Sequence, residues 1–341
     1  MKAIRLEDGE VQLRDLPVPE PAMEEARVRI SASGVCHSDL HVARGDWAGV
    51  PRRGPLGHEG IGVVDAVGPS AERFVDVGDR VILGLGGMAG YWCGACDYCL
   101  SGRPRLCHQA KPLMGTFAES LCVWAPGLVR VPRELSDEEA PLACGGLTAF
   151  GAVRKLAAHG VAPGRTVAVI GAAGGLGHYA VQIANAFGYS VVGVDVGEER
   201  LEFVRSLGAA HVVSADEAAP YALSQLGGVD AVLVFAARLA GFELGMRMLR
   251  RGGLFVAVGI PPSSEGALEL EPWQLLLAEP TIIYSVVGTV QEMRELVQLA
   301  AAGRVKTHVS RVGALSEIPA IFDELEGGKY LGRAVITDLS A

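Results

Sequence analysis

The chain has 341 residues, a length that suggests two or three domains. Half of the residues are hydrophobic and 20% are charged, and this composition excludes global disorder. Glycine is frequent, at 45 residues, but it follows no three-residue period, which excludes a collagen-like fibre. The net charge of −9 argues against nucleic-acid and anionic-membrane partners, because such partners select a basic surface.

The beginning of the chain is charged and lacks the apolar core of a signal peptide. No stretch of about 18 residues is apolar throughout, as a membrane span would require. We therefore expect a soluble, cytoplasmic protein. Seven cysteines, an odd number, then indicate metal ligands or reactive thiols rather than a disulfide framework.

The first third of the chain is predicted to be rich in β-structure. Short apolar or alternating runs are separated by proline-rich joints and Gly/Asp turns, which favours an irregular barrel or sandwich. The predicted strands cover residues 25–31, 60–67, 80–83 and 117–123. A helix is expected to begin near Ser136, because acidic residues follow it directly.

From Gly164 onward, predicted strands and helices alternate, as in a parallel sheet built from right-handed βαβ units. The strands are predicted at 166–170, 190–195, 212–214, 231–235 and 254–259, with helices at 176–187, at 198–207 and through 249. A helix at 290–302, a short helix at 318–325 and a strand at 333–337 close the chain. The predicted fold class is α/β: a β-rich catalytic part and a doubly wound, nucleotide-binding parallel sheet.

Four cysteines lie in one short segment with the spacing C-x2-C-x2-C-x7-C: Cys93, Cys96, Cys99 and Cys107. Four thiolates this close together can surround a tetrahedral ion such as zinc. An iron–sulfur cluster is the alternative, although the C-x3-C-P tail of the bacterial ferredoxin pattern is missing. Because no reactive group lies within the run, we expect a closed, structural zinc site.

The segment GAAGGLG, residues 171–177, lies between a predicted buried strand and a helix. Its glycines allow the backbone to approach a pyrophosphate at the helix N-terminus. Asp195 ends the next strand, where a carboxylate accepts hydrogen bonds from the adenine ribose and favours NAD over NADP. Arg200 lies close enough in the chain to reach the same ribose. The predicted cofactor-binding residues of this region are Gly171, Gly174, Gly175, Leu176, Gly177, Asp195 and Arg200.

Three further segments combine cysteine, histidine and acidic residues: GVCHSDLH at 34–41, GHEG at 57–60 and ACGGLT at 143–148. Their spacing alone does not join them into one site. Together with GDW at 45–47, PLGHEGIGVV at 55–64 and YLGRAVITDL at 330–339, they make the chain resemble the zinc-dependent alcohol dehydrogenases of the medium-chain dehydrogenase/reductase superfamily. The resemblance is to the tetrameric members found in yeast and bacteria.

This resemblance implies a domain organisation. A GroES-like catalytic domain is expected at 1–148, with a structural zinc lobe at about 90–110. A Rossmann domain is expected at 149–284, and residues 285–341 would return to the catalytic domain. The resemblance also implies a homotetramer, with dimers formed through edge strands around 283–287.

The resemblance further implies two zinc ions per chain, one structural and one catalytic, the catalytic ion being held by Cys36, His58 and Cys144. Asp39 would orient His58, and Glu59 would lie beside the metal as an occasional ligand.

Ser38 would bind the substrate oxygen and pass its proton through the cofactor ribose to His41. Among the remaining implied contacts, His37 and Arg333 would meet the pyrophosphate, Thr148 and Val258 the nicotinamide, and Trp47 and Met88 would line the substrate pocket.

The implied reaction is reversible hydride transfer between a primary or secondary alcohol and NAD, giving an aldehyde or ketone. An aryl-alcohol, polyol or formaldehyde dehydrogenase of the same fold is the alternative, although Cys144 argues against the polyol enzymes, which usually carry glutamate there. A non-catalytic NAD- and zinc-binding redox sensor is a third interpretation. Ser38 and His41 argue against it, because a sensor needs no proton path.

Overall fold

The computed structural model describes residues 1–47, 49–85 and 90–341. The chain divides into two compact units: residues 1–147 with 287–341, and residues 148–286. The domain boundaries predicted after residues 148 and 284 lie close to these divisions. Among the described residues, no helix is both long and apolar enough to cross a membrane.

The strands of the described residues, in chain order, are β1 (Lys2–Glu7), β2 (Glu10–Asp15), β3 (Glu25–Val35), β4 (Gly54–Pro55), β5 (Gly60–Val67), β6 (Arg80–Leu83), β7 (Ser120–Trp124), β8 (Val129–Arg130), β9 (Thr166–Ile170), β10 (Ser190–Asp195), β11 (His211–Ser214), β12 (Val229–Val234), β13 (Leu249–Ala257), β14 (Thr281–Tyr284), β15 (Val309–Ala314) and β16 (Arg333–Asp338).

The helices of the same residues are α1 (His37–Arg44), α2 (Asp97–Leu100), α3 (Gly145–Ala158), α4 (Gly177–Ala186), α5 (Glu198–Ser206), α6 (Ala215–Leu226), α7 (Leu239–Met248), α8 (Pro272–Ala278), α9 (Val290–Ala301) and α10 (Ile318–Glu326). The helix expected after Ser136 is a 3-10 helix, Asp137–Ala143, whose start is capped by the Ser136 side chain. The sequence patterns did not predict α1, α2, α3, α6 or α8. Of these, α1 and α2 are short, and α6 and α8 contain proline.

The first unit is built around the long strand β3. Its described strands form a seven-stranded sheet in the order β15-β16-β3-β5-β6-β8, with β7 also paired to β3, and a three-stranded sheet β2-β1-β4. β3 pairs antiparallel with β5, β7 and β16. Its alternating buried residues, among them Val28 and Ile30, pack with Leu56, Phe117 and Phe322 in one core. The carboxyl end of β3 therefore lies beside the start of β5, where the candidate site begins.

The second unit is a parallel sheet with the described strands in the order β11-β10-β9-β12-β13-β14. Counted from β9, this is the 3-2-1-4-5-6 order of doubly wound dinucleotide-binding folds. β9, with the sequence TVAVI, pairs with a strand on each side and is almost wholly buried, as is typical of a central strand in a parallel sheet covered on both faces. The order in which strands are added reverses between β9 and β12, and ligands of such folds bind beyond the carboxyl ends of the strands at this point. The predicted fold class is confirmed.

Candidate active site and metal-binding groups

A buried group of cysteine, histidine and glutamate lies in the first unit. The ligand atoms of Cys36, His58, Glu59 and Cys144 all lie within 4.8 Å of one another. Cys36 follows the end of β3, His58 precedes β5, and Cys144 follows the 3-10 helix Asp137–Ala143. The fold thus brings together the three metal ligands that the sequence segments alone could not join.

Asp39 fixes the orientation of His58. Its Oδ1 lies 2.9 Å from Nδ1 of His58 and also accepts a hydrogen bond from the backbone N–H of Gly57 at 3.0 Å. Gly57 has a left-handed φ of 87°, and a Cβ there would lie 2.5 Å from the backbone nitrogen of Phe117. Glycine is therefore required beside the histidine.

The other ring nitrogen of His58, Nε2, is buried and has no hydrogen-bond partner among the described residues. An unsatisfied buried polar atom costs about 1–3 kcal/mol, so this nitrogen needs a ligand. Two thiols and one imidazole nitrogen are the donors that zinc prefers at a catalytic site with an open position. The residues present therefore fit a zinc ion.

The electrostatics at Cys36 favour the deprotonated thiol that a metal requires, whereas the hydrogen bond to Cys36 and burial raise the pKa of Cys144. A hydrogen bond from Cys144 holds the pKa of Cys36 well below its usual value, and His58 lowers it further. Burial alone would lower the pKa of His58, but the Asp39 carboxylate raises it well above the ordinary value. A metal ion would bind the Cys36 thiolate and take the place of a proton on Nε2 of His58.

Glu59 faces Arg333 in a buried ion pair. Burial raises the pKa of Glu59 to about 7, more than the Arg333 guanidinium lowers it. Arg333 also donates to the carbonyl of Val35 at 2.9 Å. The side chain predicted to contact a pyrophosphate is thus buried against Glu59, and its pyrophosphate role stays a prediction.

The predicted relay residues lie on helix α1, directly after Cys36. His37 is exposed, Ser38 is partly buried, and His41 lies three residues beyond Ser38, on the same helix face. His41 bonds through Nδ1 to Asp46 at 2.8 Å, and its ring lies 5.1 Å from that of Trp47.

Trp47 is thus placed beside the relay histidine, while Met88, the other predicted pocket residue, lies outside the described residues. Asp46, the partner of His41, was not among the residues predicted from the sequence. Its position directly after a helix-capping glycine could have pointed to it.

The four-cysteine segment forms a compact thiol group without disulfides. The Sγ–Sγ distances are 3.5 Å for Cys93–Cys107, 3.6 Å for Cys96–Cys99 and 4.0 Å for Cys93–Cys99. Four thiolates on one zinc ion lie about 3.8 Å apart, whereas a multi-iron cluster holds its cysteines further apart. Backbone N–H groups of Ala95 and Cys96 lower the pKa of Cys93 to about 6. The group therefore fits a zinc ion.

In the second unit, the glycine segment connects β9 to α4. Gly171 has a φ of 78°, and a Cβ on Gly177 would lie 2.0 Å from the Gly171 carbonyl oxygen. The turn therefore has no space for a side chain at position 177, and close packing of this kind allows the backbone to approach a pyrophosphate. Gly174 and Gly175 lie inside the turn, and Leu176 directly precedes α4.

Asp195 is held beside this turn at the end of β10. Its Oδ2 accepts from the backbone N–H of Ala173 at 2.7 Å, and its Oδ1 from that of Val196 at 2.9 Å. Arg200 lies 3.9 Å from the same carboxylate. Val258 follows β13 at the same edge of the sheet, and Thr148 is buried in α3. The structure thus places the predicted ribose-binding residue next to the predicted phosphate-binding turn.

The fold and the two thiol groups define a zinc-binding dehydrogenase. Residues 22–133 match the family described as the alcohol dehydrogenase GroES-like domain, and residues 175–302 match the zinc-binding dehydrogenase family. An alcohol dehydrogenase of Geobacillus stearothermophilus is 42% identical over 96% of both chains. One from Moraxella is 37% identical over 96% of this chain and 95% of its own. The chain therefore belongs to the zinc-dependent alcohol dehydrogenases of the medium-chain dehydrogenase/reductase superfamily, as predicted.

Solved structures agree with this assignment. The alcohol dehydrogenase of the hyperthermophilic archaeon Aeropyrum pernix superposes with a TM-score of 0.88 at 32% identity, over 99% of this chain and all of that one. A structure described as an NAD-dependent alcohol dehydrogenase superposes with a TM-score of 0.88 at 29% identity, over 99% of each chain.

Proposed function

We propose that this protein oxidises a primary or secondary alcohol to an aldehyde or ketone with NAD, in a reversible reaction that uses one catalytic and one structural zinc ion per chain. The observation that carries the proposal is the buried Nε2 of His58, which shares its site with two cysteine thiols and has no hydrogen-bond partner in the described part of the chain. Such a donor set matches an open catalytic zinc site rather than a closed structural one.

Cys36, His58 and Cys144 would hold the catalytic ion, and Cys93, Cys96, Cys99 and Cys107 the structural one. When bound, zinc supplies a Lewis acid that lowers the pKa of a substrate hydroxyl, and NAD supplies the hydride acceptor. Asp39 keeps the imidazole of His58 oriented toward the two thiols. Glu59 and Arg333 place a second, buried charge pair beside this group.

Two residues of helix α1 transfer the proton that the alcohol releases. Ser38 accepts the hydroxyl proton and passes it on, and His41, on the same helix face, delivers it to solvent. The side chain of His41 is 13% exposed, so water can reach it. Trp47, packed on His41, would form one wall of the substrate pocket.

Asp195 supports NAD rather than NADP as the cofactor. Its carboxylate is fixed at the end of β10, where it would accept hydrogen bonds from the two ribose hydroxyls. A 2′-phosphate there would meet a like charge with little solvent screening, because Asp195 is buried. The turn 171–177 would hold the pyrophosphate, with Val258 and Thr148 toward the nicotinamide.

One assay tests the proposed function. Purified protein is first shown to contain two zinc ions per chain, and initial rates are then measured with NAD and ethanol, benzyl alcohol, 2-butanol and cyclohexanol. We expect turnover with at least one alcohol and little with NADP. No turnover with any of them, in protein that holds both zinc ions, would rule out the dehydrogenase.

We also propose a homotetramer in which β14 pairs with its counterpart in a second copy. β14 is the last described strand of its sheet, and unpaired strand edges favour such pairing. Tyr284 on this strand is 75% exposed, and Trp273, Leu276 and Leu277 on α8 are also exposed. Apolar side chains this exposed are typical of interfaces. Light scattering tests the proposal, and a monomer would contradict it.

The cysteines support a cytoplasmic location. All seven are free thiols in the structure, and six of them belong to the two metal-binding groups. Metal-binding thiols persist where the redox environment keeps cysteine reduced.

A further inference from the structure

His41 has a carboxylate partner on one of its two ring nitrogens. Its Nδ1 lies 2.8 Å from Oδ2 of Asp46, and the side chains are 13% and 33% exposed, respectively. An ionised carboxylate only accepts hydrogen bonds, so Nδ1 must carry the hydrogen. In the neutral ring, Nε2 is then the nitrogen with the free lone pair.

The local backbone builds this contact. Helix α1 ends at Arg44, and Gly45 adopts a left-handed φ of 77° that turns the chain back on the helix. The backbone N–H of Asp46 then donates to the carbonyl of His41 at 3.0 Å, which holds the two residues together. The left-handed φ favours glycine at position 45, and a Cβ there would also displace the Arg52 side chain, whose Cδ would lie 2.6 Å away.

The imidazole is also fixed by its ring neighbours. The Trp47 ring lies 5.1 Å away at an interplanar angle of 33°, and the His37 ring lies 6.2 Å away. With one nitrogen bonded to Asp46 and these rings beside it, His41 has a defined orientation. Imidazole orientation and tautomer are the two properties that a proton-transfer group needs before reaction.

We propose that Asp46 is a positioning residue that holds His41 in the tautomer with the hydrogen on Nδ1, so that Nε2 accepts the proton released during alcohol oxidation. The inference rests on the proposed function. The proton passes from the alcohol hydroxyl by way of Ser38 to Nε2, and from there to water. Asp46 gains no proton and forms no covalent bond, and the same path runs in reverse during carbonyl reduction.

The tautomer is measured directly in zinc-loaded protein without NAD. The 13Cδ2 chemical shift of His41 in histidine-labelled protein distinguishes the two tautomers. The signal is assigned by its disappearance in His41→Gln. We expect the Nδ1–H tautomer in the unchanged protein and in Asp46→Asn, because the amide oxygen still accepts a hydrogen bond. Asp46→Ala should move the signal toward the other tautomer, and the control Asp323→Ala, at an exposed position of α10, should leave it in place. An unmoved signal in Asp46→Ala would overturn the proposal.

Kinetics test whether the contact matters for turnover. Asp46→Ala should lower kcat for alcohol oxidation about tenfold while KM for the alcohol changes less than about twofold, and Asp46→Asn should recover most of the rate. In the His41→Gln background, Asp46→Ala should have no further effect, because Asp46 acts through His41. An equal loss of kcat from Asp46→Ala in the unchanged protein and in His41→Gln would overturn the proposal. Absence of turnover by the unchanged protein would instead overturn the proposed function, whereas an unmoved His41 signal in an active enzyme would refute the positioning role alone.

Discussion

The carboxylate of Glu59 occupies the space that a side chain on Gly34 would fill. A Cβ at position 34 would lie 2.1 Å from Oε2 of Glu59 and 2.9 Å from Cγ of Pro141. The backbone supports the same placement, since the N–H of Gly34 donates to the carbonyl of Glu59 at 2.9 Å. A glycine in a strand next to the metal ligands therefore creates the room for a buried acidic group.

Substitution of Gly34 by alanine should displace Glu59 and lower both activity and stability. Forcing a methyl group into a closed space costs about 1–3 kcal/mol, and here the group that must move is one partner of the Glu59–Arg333 pair. Thermal denaturation and kcat measure the two effects. Gly127→Ala is the matched control, because a Cβ there meets its nearest neighbour at 3.8 Å. Equal unfolding temperatures and equal kcat values in the two variants would show that the space beside Glu59 matters for neither stability nor activity.

Substitution of Asp39 by alanine should weaken zinc binding at the catalytic site. It leaves Nδ1 of His58 and the N–H of Gly57 without their acceptor, in a buried site. Loss of such a partner typically lowers metal affinity about 10–100-fold. Zinc release is followed with a chelator and a chromogenic indicator, with Asp216→Ala, at an exposed position of α6, as control. Zinc retention equal to that of the control would remove Asp39 from this role.

The two thiol groups should respond differently to serine substitution. Cys36→Ser should abolish turnover and leave one zinc ion per chain, with little change in thermal stability. Cys96→Ser should instead lower the unfolding temperature, because the closed thiol group stabilises its segment. Zinc content, thermal unfolding and initial rates separate the two outcomes, and Cys122→Ser, outside both groups, is the control. Equal loss of folding in the Cys36 and Cys96 variants would contradict this division of roles.

Removing the charge of Asp195 should relax the preference for NAD. Asp195→Gly removes both the like charge and the acceptor of the Ala173 N–H, whereas Asp195→Asn keeps an acceptor oxygen. We expect the ratio of kcat/KM for NAD to that for NADP to fall about tenfold or more in both variants, because repulsion of a 2′-phosphate is lost. An unchanged ratio in Asp195→Asn would show that the charge does not select the cofactor.

The parts of the protein with fixed local spacing could be predicted from the sequence. The four-cysteine run and the strand–glycine–helix segment each place their functional atoms within one short stretch, so that chain connectivity alone brings the atoms together. The alternating strands and helices from Gly164 onward defined the parallel sheet for the same reason, because periodicity is a local property. The resemblance to a known family, and not spacing, supplied Cys36, His58 and Cys144 as one ligand set.

Which distant residues share a site depends on the packing of the folded chain. β3 and β5 pair side by side, which places Cys36 near His58. Cys144, which follows the 3-10 helix Asp137–Ala143, lies beside the same two residues. The burial of Arg333 against Glu59 and the contact of Asp46 with His41 also depend on side-chain packing. Packing depends on many weak contacts among residues far apart in the chain. A local sequence pattern therefore does not predict it.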